Sequence, residues 1–219
     1  MPAKISMARR AAYVCAPLLT FCASSGILTA QTLKITEPKD GAVVYAGYTM
    51  TVVVEASPAL AFREVIIIGQ SAIGFSRPLA TPPYRFSMTI PPNTLPRRYE
   101  LRADGTTESG RGATSEPVGI LVERSDSPLS LTAEPAVLDF HEVGVQCPVA
   151  AVGKFADAPR VDLHESSYVK FTSENPSVAT VNQWGLVTTT GFGSARITIE
   201  YNGKSTVVPV TVRKPAAGR

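Results

Sequence analysis

The sequence is poor in the residues that carry metal and nucleophilic chemistry. Its 219 residues include three cysteines, two histidines and one tryptophan. His141, His164 and one cysteine beyond residue 30 are too few for a structural zinc site of four Cys/His ligands. There is no G-x-S-x-G nucleophile elbow, no H-E-x-x-H metal motif and no phosphate-binding loop. No segment shows helical spacing of apolar residues over three turns, and no apolar run reaches the roughly 20 residues that cross a bilayer. The expectation is a chain with no catalytic centre, no cofactor and no bound metal.

Net charge is also missing from most of the chain. Three of the 21 Lys and Arg residues (Lys4, Arg9 and Arg10) lie in the first thirty residues, and none of the 18 Asp and Glu residues do. Residues 31–219 therefore carry eighteen charges of each sign and a formal net charge of zero. Such a chain has no electrostatic reason to bind nucleic acid or anionic lipid.

The three early basic residues precede an apolar run, Ala11 to Phe21, and then small residues ending in Leu28-Thr29-Ala30. That order is the pattern of a secretory signal peptide cut before Gln31. Leu28 is large for its place in such a site, so an uncleaved anchor and lipidation at Cys22 stay open as alternatives. The pattern implies export, to the periplasm, the cell surface or the medium. Removing residues 1–30 also removes Cys15 and Cys22 and leaves Cys147 alone. A single cysteine in an exported chain is a buried thiol, an intermolecular partner or a reactive group. Its alternation with Val145 and Val149 favours burial.

What the sequence does have is strand pattern. Thr49 to Ala56 and Glu64 to Gly69 are β-rich, and Tyr84, Phe86, Met88 and Ile90 alternate along one face, as do Tyr99, Leu101 and Ala103. Turn material separates these runs: Pro38-Lys-Asp-Gly41, Thr81-Pro-Pro83, Ile90-Pro-Pro-Asn93 and Ala103-Asp-Gly105. A polar stretch, Glu123-Arg-Ser-Asp-Ser-Pro128, divides the chain into two segments of about 90 residues, each near the size of one sandwich. The reading is a signal peptide over 1–30, a β-sandwich over 31–124, a linker over 125–128, a second sandwich over 129–213 and a tail over 214–219.

Two resemblances sharpen that reading. Residues 31–124 resemble a bacterial Ig-like domain. The likeness rests on Ile35-Thr-Glu-Pro-Lys-Asp-Gly41, the strand at 49–56, Pro83-Tyr-Arg-Phe86 and Tyr99-Glu-Leu-Arg-Ala-Asp-Gly105. The second segment carries Phe171-Thr-Ser-Glu-Asn-Pro-Ser-Val-Ala-Thr-Val181, Asn182-Gln-Trp-Gly-Leu-Val187 and Gly191-Phe-Gly-Ser-Ala-Arg-Ile-Thr-Ile199. It resembles the group 2 bacterial Ig-like domain, the repeat type of invasin- and intimin-like adhesins, with Ala158 standing where a turn glycine is usual. The resemblance implies an all-β chain of two tandem immunoglobulin-like sandwiches. In this reading Gly185 takes a positive φ in a tight turn.

Few residues stand out as sites. His141-Glu142 and His164-Glu165 are read as poor chelates, because adjacent side chains in a strand face opposite ways. Asp157 and Asp162 are read as turn caps rather than calcium ligands. Trp184 beside Gly185 is a candidate partner contact, although packing over the sandwich end is the favoured account. The apolar loop at 68–75 offers Ile73 and Phe75 as further candidate contacts, again with packing favoured. The functional expectation is a noncatalytic exported module protein for adhesion, envelope or extracellular scaffolding. The alternative is a carbohydrate- or protein-binding accessory unit of an exported enzyme system. The partner is a protein or glycan surface, and homotypic assembly through edge strands stays open.

Overall fold

A computed structural model describes residues 32–57 and 62–214. The signal-peptide reading, Cys15, Cys22 and the end of the tail lie outside the described residues. The first module contains β1 (Thr32–Glu37), β2 (Ala42–Tyr45), β3 (Thr49–Ser57), β4 (Phe62–Gly69), β5 (Tyr84–Thr89), β6 (Arg97–Thr107), β7 (Gly112–Thr114) and β8 (Val118–Glu123). One sheet has the order β1-β3-β5 and the other β2-β8-β6-β4, with β7 on β6. The second module contains β9 (Ser130–Glu134), β10 (Leu138–Phe140), β11 (Gln146–Pro148), β12 (Ala150–Lys154), β13 (Val161–Asp162), β14 (Lys170–Ser173), β15 (Ala179–Val181), β16 (Leu186–Thr189), β17 (Gly193–Tyr201) and β18 (Lys204–Val212). The longest described helical piece is one 3-10 turn, Ser71–Ile73, so the chain is all-β.

Both modules start with the same device. β1 runs antiparallel to β3, and the chain then changes sheet so that β2 runs parallel to the last strand, β8. β9 pairs antiparallel with β12, and β10 then runs parallel to the last strand, β18. A Glu-Pro pair stands at each change: Glu37-Pro38 and Glu134-Pro135. Proline has no N–H to offer a ladder, so it ends one pairing before the next begins.

The alternation seen in sequence sets the core. Tyr84, Phe86, Met88 and Ile90 are buried, as are Tyr99, Leu101 and Ala103. In the second module Ala195, Ile197 and Ile199 point inward from β17. The buried apolar residues form two clusters, one from Leu33 to Val122 and one from Leu131 to Val212. Each fully buried Ile, Leu or Val contributes about 1.5–3 kcal/mol by leaving water.

Cys147 follows its predicted face only in part. Val149 is buried, but Cys147 and Val145 are half-buried. Cys147 sits on β11 opposite Val187, and β11 is an edge strand of its sheet, so one flank has no strand to cover it.

Candidate binding cleft

The polar stretch at the module boundary opens on a buried residue and is exposed from Ser125 to Ser127. Glu123 ends β8 with its side chain fully buried. Its Oε2 accepts a hydrogen bond from Ser166 Oγ at 2.6 Å. Its Oε1 accepts from the Ser167 N–H and Ser167 Oγ, both at 2.7 Å. One carboxyl group of the first module thus holds a turn of the second. Next to it, Arg124 lies 4.3 Å above the Phe155 ring and pairs with Asp126 and, at 2.6 Å, with Asp157. The Tyr45 and Tyr168 hydroxyls meet across the boundary at 3.3 Å. That contact, burial and the nearby Glu123 push the Tyr168 phenol up to about 12.

Beside this junction the modules enclose a cleft of about 610 Å³. Its walls are Arg98 and Leu121 from the first module and His164, Glu165, Gln183 and Trp184 from the second. Arg98 is held by Asp40 at 2.6 Å, and Asp40 also accepts the Gly119 N–H at 2.8 Å. The Gly119 N–H first, then Arg98, hold the Asp40 carboxyl below the usual carboxylate range. His164 Nδ1 lies 2.8 Å from Asp162, and His164 Nε2 lies 3.4 Å from Glu165. Glu165 in turn lies 3.9 Å from Arg97.

The His164-Glu165 pair corrects the strand-based expectation. Strand β13 ends at Asp162 and residues 164–169 form turns, so alternation does not apply and both side chains meet. Asp162 caps this turn by accepting the His164 N–H at 3.1 Å, which agrees with its reading as a turn cap. Asp157 and Asp162 serve different partners and do not converge. Among the described residues no group of three His, Cys, Asp or Glu side chains is arranged to hold a metal.

Asp162 makes the turn sensitive to acid. Burial raises its carboxyl, but the His164 ring and backbone N–H bonds, with the His164 and Arg160 charges, outweigh it and leave it lowered. A lowered folded-state value means stability that is complete above the unfolded value of about 3.9 and is lost as the pH falls through it toward the folded value. The denaturant midpoint should therefore be lower near pH 3 than at pH 7. Asp162→Asn should shrink that drop, and an unchanged drop would remove Asp162 from the account.

Trp184 departs from the packing expectation. It is 57% exposed on the wall of the cleft. The turn that carries it is tight: Asn182 Oδ1 accepts the N–H of Trp184 and of Leu186, each at 2.9 Å. Gly185 has φ +73° and donates to the Asn182 carbonyl at 3.1 Å. The other two candidates lie in the first module, in a separate groove. Ile73 is 5% exposed and packs on Gly69, so it serves the core rather than a partner. Phe75 is 81% exposed and borders a groove of about 300 Å³ with Arg77 and Arg85. The structure does not bring Phe75 and Trp184 to one site.

Residues 145–212 match the family model of the bacterial Ig-like domain (group 2). Within the second module, this stretch is similar to that domain. No curated protein sequence matches the chain. Among solved structures, a fibronectin(III)-like module of Clostridium thermocellum CbhA is 20% identical, with a TM-score of 0.36, over 42% of this chain and 94% of that one. The D00-D0 domain of intimin is 11% identical, with a TM-score of 0.36, over 83% of this chain and all of that one. Domains 1–6 of the surface layer protein SbsC are 15% identical, with a TM-score of 0.33, over 86% of this chain and 28% of that one. The matched stretch supplies Trp184, Gln183, His164 and Glu165, while Arg98 and Leu121 precede it, so the cleft exists only where the two modules meet.

Proposed function

We propose that this chain is an exported, noncatalytic binding protein that serves adhesion or scaffolding at the cell envelope or outside the cell. It grips its partner in the cleft between its Ig-like modules. The observation that carries this reading is the exposed Trp184 on the wall of a cleft whose geometry is fixed by the Glu123 junction. Large exposed aromatics in a concave site supply much of the binding energy at protein interfaces. Export rests on the Lys4, Arg9 and Arg10 region followed by the apolar run at 11–21. A noncatalytic role is supported by Ser166 and Ser167, close to His164 in sequence: both hydroxyls donate to Glu123 rather than to the Asp162–His164 pair that would have to activate them. The accessory-unit reading uses the same cleft and differs only in what surrounds the protein.

The test is retention of partners from envelope and secreted fractions on immobilised chain. A partner that belongs to this cleft is retained at least about tenfold less by Trp184→Ala, the loss typical of an aromatic hot spot, and is unaffected by Phe75→Ala. Retention that ignores Trp184 removes the cleft from the reading.

A further inference from the structure

We propose that the inter-module cleft takes an uncharged glycan, with a pyranose ring stacked on Trp184. This rests on the reading of the cleft as the binding site and adds the chemical class of the ligand.

The first observation is what the walls withhold. The N–H groups of His164 and of Ser166 to Val169 each donate within the protein, to Asp162, Leu163, Glu123 and Ser166. Those of Trp184, Gly185 and Leu186 all donate to Asn182. Leu121 lies on β8, which is paired on one side by β2 and on the other by β6. An extended peptide adds to a sheet by main-chain pairing with an open edge, and β8 offers it none here.

The second observation is charge. Arg98 is paired with Asp40, and Glu165 faces His164 and Arg97. An anionic or cationic ligand finds no unpaired counter-charge on these walls and would have to displace an existing partner. The same pairings hold flat, planar groups in fixed places, which lowers the entropy cost of each hydrogen bond they make.

The third observation is the chemistry left over. An exposed indole offers an apolar face with a polar edge. The exposed Gln183 amide offers donor and acceptor together. A neutral sugar matches both: the C–H face of its ring lies on the indole, and its hydroxyls accept from and donate to planar side chains. The cleft volume falls within the roughly 300–1,000 Å³ of small-molecule sites, enough for a short oligosaccharide segment.

Trp184 is the only tryptophan in the chain, so its emission reports on the cleft directly. The full exported chain is titrated with neutral hexasaccharides (cello-, xylo-, manno-, laminari- and chito-series), with polygalacturonate and with an octaproline peptide. The expected result is a saturable change of emission with at least one neutral series. Calorimetry should show binding at least about tenfold weaker in Trp184→Ala and weakened in Gln183→Ala, with both variants folded by circular dichroism. Raising the ionic strength from about 0.05 M to about 0.5 M should leave the affinity within a factor of two, because no net charge is matched. Response to the octaproline or to polygalacturonate alone overturns the proposal in favour of a peptide or an acidic polymer. If no sugar binds but a retained protein partner depends on Trp184, the glycan is overturned while the cleft reading stands. If neither depends on Trp184, both fall.

Discussion

Replacing Glu123 by alanine should lower the unfolding free energy by about 3 kcal/mol and split a single unfolding transition into two. Glu123 accepts three hydrogen bonds from Ser166 and Ser167, and Ser166 is itself buried. Truncation leaves those donors facing an apolar gap, and each buried donor left without an acceptor costs roughly 1–3 kcal/mol. Contacts between modules of one chain are ordinarily modest in area and permit relative motion. Here directional bonds to one carboxyl group resist that motion, so losing them should uncouple the modules. The measurement compares Trp184 emission, which senses the second module, with far-ultraviolet circular dichroism, which senses both. In the native chain the two curves should coincide and in Glu123→Ala they should separate. Glu123→Gln should fall between, because the amide nitrogen turns one acceptor into a donor that faces a donor. Coincident curves with an unchanged midpoint in Glu123→Ala would falsify the role of this residue as the lock. Partner retention should fall in the same variant, although Glu123 does not line the cleft, because the walls come from opposite sides of the junction.

That junction was the least legible part of the sequence. Glu123 to Pro128 is a polar run ending in proline, and nothing local distinguishes such a run from a solvated linker. The burial of Glu123 is decided by serines 43 and 44 residues away, a separation at which single-sequence patterns carry no information. The strands were legible because period-two alternation is a local property, as at Tyr84 to Ile90 and Ala195 to Ile199. The loops were not. A strand rule sets the His164 and Glu165 side chains on opposite faces, yet the two residues occupy a turn where neighbouring side chains can meet. For Trp184 the sequence leaves two accounts, a partner contact and packing over the sandwich end, and favours the second. Its actual place follows from the backbone: the Asn182 cap and the tight turn at Gly185 aim the ring outward. Cys147 kept its predicted face and lost half its cover, because alternation says which side a residue faces and not whether its strand lies at an edge. The Glu-Pro pair occurs at Glu37-Pro38 and at Glu134-Pro135, at the same step of each module, and marks the change of sheet in both.

Gly185→Ala should cost about 3–4 kcal/mol and move the only tryptophan. Two terms add. At φ +73° a Cβ crowds its own backbone, which costs roughly 1–2 kcal/mol outside glycine. The new methyl group would also drive into the Val149 carbonyl oxygen and reach 2.9 Å from the Phe171 ring. That carbonyl belongs to the residue whose N–H donates to the Gly185 oxygen at 2.9 Å, so the two segments cannot separate without breaking the bond between them. Overpacking of this kind adds roughly 1–3 kcal/mol. Gly203→Ala is the control. Its φ is +77° and a Cβ there meets nothing within 4 Å, so only the backbone term applies. The difference between the two variants in denaturant unfolding should therefore be about 2 kcal/mol, and it isolates the steric term. Equal losses would mean that the turn relaxes freely and does not fix Trp184. If the turn fixes the ring, Gly185→Ala also shifts the native emission of Trp184 and weakens ligand retention, while Gly203→Ala changes neither. The position of the indole is then set by a residue that touches no ligand, through a hydrogen bond from the Val149 N–H just beyond the neighbouring strand β11.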